Sequence, residues 1–250
     1  MPPLFLNFFA FIQGITEFLP ISSSGHLLFF RSLFISYSQP LVVDVVLHTG
    51  SLAAIIYFFK ETIKKNYVKL LLPSLVSVIP ASLIGLFFLD NIKSLFGSPR
   101  FLFISFSITT LILILFSQLK WKKTGIDEIS PKKSFRIGIF QALAIIPGIS
   151  RSACTIFAGK LMGLSPNATF SFAFIMAIPA VLGSMVLSMV KLDISSINIP
   201  PANLFFALLV SFIVSLLALK FLQKILDNKR LGGFAFYTAI LAAISLALFY

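Results

Sequence analysis

The sequence predicts an all-α polytopic membrane protein with six transmembrane helices and two re-entrant helical hairpins in an inverted repeat. Three observations carry that expectation. The first is the solvent: 58% of the residues are hydrophobic and 11% charged, with 30 Phe and a mean hydropathy of +1.02. A water-soluble fold of that composition would leave large apolar patches exposed. The second is a set of apolar stretches as long as the roughly 20 helical residues that a hydrocarbon core demands. The third is a polar segment that occurs twice. Gln13-Gly-Ile-Thr-Glu-Phe-Leu-Pro-Ile-Ser-Ser-Ser-Gly25 returns, 128 residues on, as Gln141-Ala-Leu-Ala-Ile-Ile-Pro-Gly-Ile-Ser-Arg-Ser-Ala153.

The elements follow in order along the chain. The start, Met1-Pro-Pro-Leu-Phe5, has no basic region ahead of its apolar run, so no cleaved signal peptide is expected. An apolar region at 4–35 is broken by Pro and Ser at Pro20 to Gly25, and each arm is short for a crossing. It reads as a re-entrant hairpin, whose non-helical tip is tolerated only where it lines a protected cavity. Spans are predicted at 41–59, 67–89 and 100–119, followed by the longest polar linker, Lys120 to Ser134. A second broken region at 135–163 is interrupted at Pro147 to Ser152, and spans at 166–190, 201–222 and 231–250 complete the chain. Each half, about 1–119 and about 134–250, is thus one hairpin plus three spans within a single membrane domain. An odd number of spans sends the second half in from the opposite face. Broken helices at matching places in two halves point to a site where the repeats meet.

Positive charge orients the arrangement. Lys60, Lys64, Lys65, Lys69, Lys120, Lys122, Lys123, Lys132, Lys133, Arg136, Lys220, Lys224, Lys229 and Arg230 fall on one face, against Arg31, Lys93, Arg100 and Lys191 on the other. The first set is therefore expected in the cytoplasm, with both termini and the first hairpin outside. A net charge of +12 spread over loops in this way reads as membrane topology, and no nucleic-acid partner is expected. A lone cysteine, Cys154, excludes an internal disulfide or a multi-cysteine metal cluster. The Phe excess needs only lipid contact.

The repeated segment carries the chemistry. Glu17 lies four residues after Gln13, on the same helix face, and an ionised group at membrane depth costs about 2.5–3.5 kcal/mol, so it needs a partner. That partner is either Arg151, in a structural ion pair, or a hard cation such as magnesium or calcium, for which a carboxylate with an amide oxygen is suited. Glu17 could also act as a general base. Ser22, Ser23 and Ser24 stand at the start of one helical arm, and Ser150 and Ser152 flank Arg151 at the start of the other. Each serine alone suits an N-cap. Together, two helix N-termini and a guanidinium form a trap for phosphate or diphosphate. His26, three residues after Ser23, is placed to act as base for that hydroxyl or for water. His48, Asp44 and Cys154 read as structural, Asp44 as a helix cap.

Gln13-Gly-Ile-Thr-Glu17-Phe-Leu-Pro-Ile-Ser-Ser-Ser-Gly-His26 and Pro147-Gly-Ile-Ser-Arg-Ser-Ala-Cys-Thr155 resemble the two signatures of the undecaprenyl-diphosphatase family, the bacitracin-resistance membrane phosphatases. The resemblance covers the whole chain. It implies hydrolysis of undecaprenyl diphosphate to undecaprenyl phosphate and inorganic phosphate, with a divalent cation, magnesium or calcium, as cofactor. It implicates Glu17, Ser23, His26, Ser150, Arg151 and Thr155, with Gln13 standing where the family often has Glu. That departure bears on any metal site that needs two carboxylates. The expected partners are a polyprenyl diphosphate and membrane lipids, with a homodimer as a candidate assembly. The implied location is the bacterial plasma membrane, with a site opening outward. Ser23 as nucleophile with His26 as base, and His26-activated water with Ser23 only binding phosphate, both stay open. A transporter or flippase for a phosphate-bearing lipid or anion is the alternative, because inverted repeats with broken helices also build carriers.

Overall fold

The computed structural model describes residues 3–34, 40–190, 199–227 and 231–250. Ten α-helices lie among them: α1 (Pro3–Thr16), α2 (Ser23–Leu33), α3 (Pro40–Phe96), α4 (Leu102–Gln118), α5 (Pro131–Leu143), α6 (Arg151–Leu161), α7 (Pro166–Ile175), α8 (Ala177–Val190), α9 (Pro201–Asp227) and α10 (Gly232–Phe249). The described residues form no β-strand, and an isolated bridge joins Thr124 to Leu164. Lys191, Lys229 and Arg230, which figure in the charge argument, lie outside the described residues.

Local chemistry sets the helix ends. Ser130 and Ser165 cap α5 and α7, each accepting from the backbone N–H three residues on, and each is followed by a proline whose missing N–H costs nothing at that position. Helix α1 stops short of Pro20, which disfavours helical geometry in the residue before it. Ser22 then takes φ 70°, ψ 101° at the cap of α2. On the other side, α5 runs out through tight bonds such as Ile146 N to Leu143 O, 3.2 Å, ahead of Pro147. Gly148 follows at φ +96°, a conformation that favours glycine. The breaks at 17–22 and 144–150 therefore fall within or beside the interruptions anticipated from the sequence.

Among the described residues, five helical stretches are long and apolar enough to cross a membrane: Leu41–Phe88, Pro99–Gln118, Pro166–Val190, Pro201–Leu226 and Gly232–Phe249. The first of these takes in two of the six predicted spans. The stretches expected at 41–59 and 67–89 lie in two helical segments of α3 that meet at a kink at Asn66, which leaves helical geometry at φ −117° and ψ 16°. The polar stretch between them, 60–66, holds three Lys and one Glu, good helix formers, so the first segment extends through it as far as the kink. Asn66 Nδ2 donates back to Thr62 O at 3.1 Å.

Packing is close where small residues allow it. Helix α1 lies on α9 through Gly14, beside Val214 and the Ser211 carbonyl. Helix α5 lies on α3 through Gly138, beside Ser77. Gly50 meets the backbone of α9 at Leu208, next to a serine cluster in which Ser211 donates to Leu47 O at 2.8 Å and Ser215 to Ser51 Oγ at 3.1 Å. Helices α4 and α10 are joined by Thr110 and Thr238, 2.8 Å apart. The Phe side chains do more than face lipid. Phe9, Phe18, Phe106, Phe170 and Phe172 are among the largest fully buried residues, and aromatic edges such as Phe18 on Phe174, 5.4 Å between centroids, fill the core beside the hairpins.

Candidate active site

The two hairpin turns meet. Gly25 sits so close to Gly148 that a Cβ on Gly25 would fall 2.8 Å from the Gly148 Cα. Ser24 Oγ accepts from Gly148 N at 3.5 Å, and Ser152 Oγ donates to Leu19 O at 3.0 Å. Thr109 of α4 braces the junction, donating to Gly148 O and accepting from Ser150 N, each at 3.1 Å.

Beside this junction lies a cavity of about 640 Å³ whose lining includes Glu17, Ser22, Ser23, Ser24, Ser150 and Arg151. Its other walls are mostly apolar, contributed by Val78, Ala81 and Leu86 of α3 and by Val181, Val186 and Leu187 of α8. Glu17 is buried at its base. Arg151 Nη2 donates to Glu17 Oε1, while Gln13 Nε2 donates to Oε2 at 2.9 Å and Ser23 Oγ donates to the same oxygen at 2.5 Å. The intramembrane carboxylate therefore has its cation, as its desolvation demands, and its third donor is a hydroxyl on the cavity wall. A serine held on a carboxylate, with a guanidinium at hand, can transfer a proton and receive a phosphoryl group.

The remaining predicted residues divide. Ser22 and Ser150 serve as caps, accepting from Gly25 N and Ala153 N at 3.2 Å each. Ser152 stitches the hairpins together, and Thr155 Oγ1 donates back to Arg151 O at 3.0 Å, steadying the first turn of α6. His26 is not joined to Ser23. Its Nδ1 is 2.6 Å from Ser22 O and its Nε2 is 2.8 Å from Tyr237 Oη, with the two rings stacked. Both nitrogens are thus engaged away from the hydroxyl that the sequence spacing offered them. The reason is helical geometry: the ring reaches back to the carbonyl four residues earlier. Asp44 does not cap its helix but pairs with Arg31 through Nη1 and Nη2, the two terminal guanidinium nitrogens. Cys154 is buried among Ile112, Leu113 and Ile149, as a small packing residue.

Two neighbours of the predicted site residues escape the sequence reading. Tyr237 carries no motif, and nothing local ties it to His26. His48 lines the cavity, with Nδ1 3.0 Å from Gln13 Nε2 and 3.8 Å from Glu17 Oε2. The available signal was its chemistry, since an ionisable side chain inside a membrane span is a functional candidate by default.

Fold and site define the class: a polytopic α-helical membrane protein whose broken hairpins bring a hydroxyl, a carboxylate and a guanidinium together at the foot of an apolar-walled cavity. The chain matches the family described as Bacitracin resistance protein BacA over residues 7–244, and it belongs to that family. Relatives named undecaprenyl-diphosphatase agree along nearly the whole length. One from Thermosipho africanus is 37% identical, covering 94% of this chain and 95% of its own. Others from Methanococcus vannielii and Rhodopirellula baltica are 34% and 36% identical, over 90% and 91% of this chain and 92% and 91% of theirs.

Proposed function

We infer that this protein hydrolyses undecaprenyl diphosphate to undecaprenyl phosphate and inorganic phosphate in the cell membrane, returning the lipid carrier to cell-wall synthesis. The observation that carries the reading is the Ser23 hydroxyl resting on buried Glu17 beside Arg151, inside a cavity with apolar walls. The family relationship supports it, as do relatives whose name is that activity.

The diphosphate head group binds at the foot of the cavity and draws Arg151 onto its oxygens, where a planar fork suits two of them. Glu17 then faces Ser23 without its guanidinium. Ser23 Oγ attacks the terminal phosphorus as its proton passes to Glu17, and the anhydride P–O bond breaks to release undecaprenyl phosphate. Water next attacks the phosphoserine, giving inorganic phosphate and restoring the serine hydroxyl and the carboxylate. The lipid tail runs along the wall between α3 and α8, where Gly85 and Gly183 line the cavity and an added Cβ would meet no atom of the described residues within 4 Å. A carrier needs no hydroxyl held on a carboxylate, and hydrolysis accounts for that contact.

A divalent cation is consistent with these residues only in company with the substrate. Among the described residues no three His, Cys, Asp or Glu side chains gather. Glu17 offers a carboxylate, however, and the buried Gln13 Oε1 has no hydrogen-bond partner among the described residues. Magnesium commonly takes one or two carboxylates and fills its shell with phosphate oxygens and water. Glu17 and Gln13 would hold it, and it would offset diphosphate charge.

In the membrane, α3 counts as two crossings. Its 48-residue apolar stretch would extend about 72 Å if straight, more than twice the hydrocarbon thickness. Yet His48 and Val78, on either side of Asn66, line one cavity. With α1–α2 and α5–α6 as re-entrant hairpins, this gives six crossings in two inverted halves, both termini outside and the site opening outward. The deciding experiment is phosphate release from a long-chain polyprenyl diphosphate by purified protein, with and without a chelator. Turnover that the chelator suppresses is expected, and a protein that releases no phosphate refutes the assignment.

A further inference from the structure

We propose that His48 is a substrate-contacting residue, a fixed hydrogen-bond donor from Nε2 to a phosphate oxygen of the bound diphosphate. The proposal rests on the reading of this cavity as a lipid-diphosphate site. Its starting point is the amide of Gln13, whose nitrogen donates to Glu17 Oε2 at 2.9 Å and lies 3.0 Å from His48 Nδ1. Turning the amide over would set its oxygen against the carboxylate, so the nitrogen is fixed in place by Glu17. An amide nitrogen only donates, and it has two hydrogens to give. His48 Nδ1 must therefore accept, which leaves the proton of the imidazole on Nε2.

The inner edge of the ring is thus spoken for, and the outer edge is not. Nε2 points nearly opposite to Nδ1, away from Gln13, and it makes no hydrogen bond to any described residue. The side chain is 32% exposed, against 5% for Glu17, and it lines the cavity shared by Ser23 and Arg151. An N–H of set direction on that wall, across Glu17 from Arg151, suits an anionic oxygen. Gln13 thereby both aims His48 and holds Glu17.

The two amide replacements of histidine separate the edges of the ring. In His48→Asn the side-chain oxygen falls near the Nδ1 position, keeping an acceptor for Gln13 and removing the outer donor. In His48→Gln the amide nitrogen reaches the Nε2 position, keeping a donor for phosphate. The experiment measures kcat and KM on a long-chain polyprenyl diphosphate, direct calorimetric binding of inorganic diphosphate, and the thermal transition, for wild type and both variants in one detergent. His48→Asn is expected to lose roughly 10- to 100-fold in kcat/KM and to weaken diphosphate binding, with its thermal transition unmoved. His48→Gln should lose less than about fivefold in both. Wild-type behaviour of His48→Asn, an equal loss in the two variants, or unfolding of His48→Asn would each overturn the proposal. The proposed activity is judged on wild-type turnover alone. Diphosphate binding reads the His48 contact even if that turnover is nil.

Discussion

Arg151→Lys and Arg151→Ala separate two roles of this side chain, the partner of Glu17 that the structure shows and the proposed clamp on phosphate during turnover. Removing one member of a buried pair costs about 3–5 kcal/mol, because a charge is left uncompensated. Here Glu17 keeps Gln13 and Ser23 as donors, and the Arg151 side chain is 21% exposed. The expected loss for Arg151→Ala is accordingly about 2–3 kcal/mol, or a fall in Tm on the order of 5–10 °C for a chain of this size. Lys retains the charge and should cost less than about 1 kcal/mol. Turnover should respond differently. Lys cannot present two parallel N–H groups, and losing one hydrogen bond to a charged oxygen lowers kcat/KM roughly 10- to 150-fold, whereas Ala, losing both, falls on the order of 10²- to 10⁴-fold. The assay is phosphate release together with thermal unfolding of the three proteins in one detergent. A Lys variant within threefold of wild-type turnover, beside an unstable Ala variant, would refute the clamp and leave Arg151 as a structural counter-ion.

Two further outcomes are expected. Gly25→Ala places a methyl 2.8 Å from the Gly148 Cα and from the Phe106 ring, so it should cost about 1–3 kcal/mol and part the hairpin tips; Gly233→Ala, which meets nothing within 4 Å among the described residues, is the control in the same melting and turnover assays, and equal behaviour of the two would contradict the close approach. A topology reporter fused after Tyr250 should read the outer face and one inserted beside Lys122 the cytoplasm, while a cytoplasmic Tyr250 would rule out six crossings.

Much of this molecule is legible in its sequence because the relevant physics is local. The Pro and Ser residues that break the hairpins act on their own backbone. The Gln13–Glu17 contact follows from one turn of helix, and the serine caps of α2 and α6 follow from the unsatisfied N–H groups at a helix start. Composition alone supplies the membrane, and the doubled segment says that two turns come together. Hydropathy places the break in α3 well and its edges less so: the polar interval from 60 to 66 is largely helical because it is rich in Lys, and the kink between the two helical segments of α3 falls at its last residue, Asn66.

Which side chains meet across the chain was decided only by packing. Arg151 reaches Glu17 from 134 residues away and Tyr237 reaches His26 from 211, separations over which no periodicity speaks. His26 and Ser23 illustrate the same point in reverse. They are three residues apart, yet the ring turns to a carbonyl and to α10, and the hydroxyl turns to Glu17. His48 gains its place only because α3 lies against Gln13 and Glu17. Sequence sets which groups a helix carries and on which face. The choice of partner belongs to the packing of helices, where each buried polar group must find its complement among neighbours that the chain brings from far away.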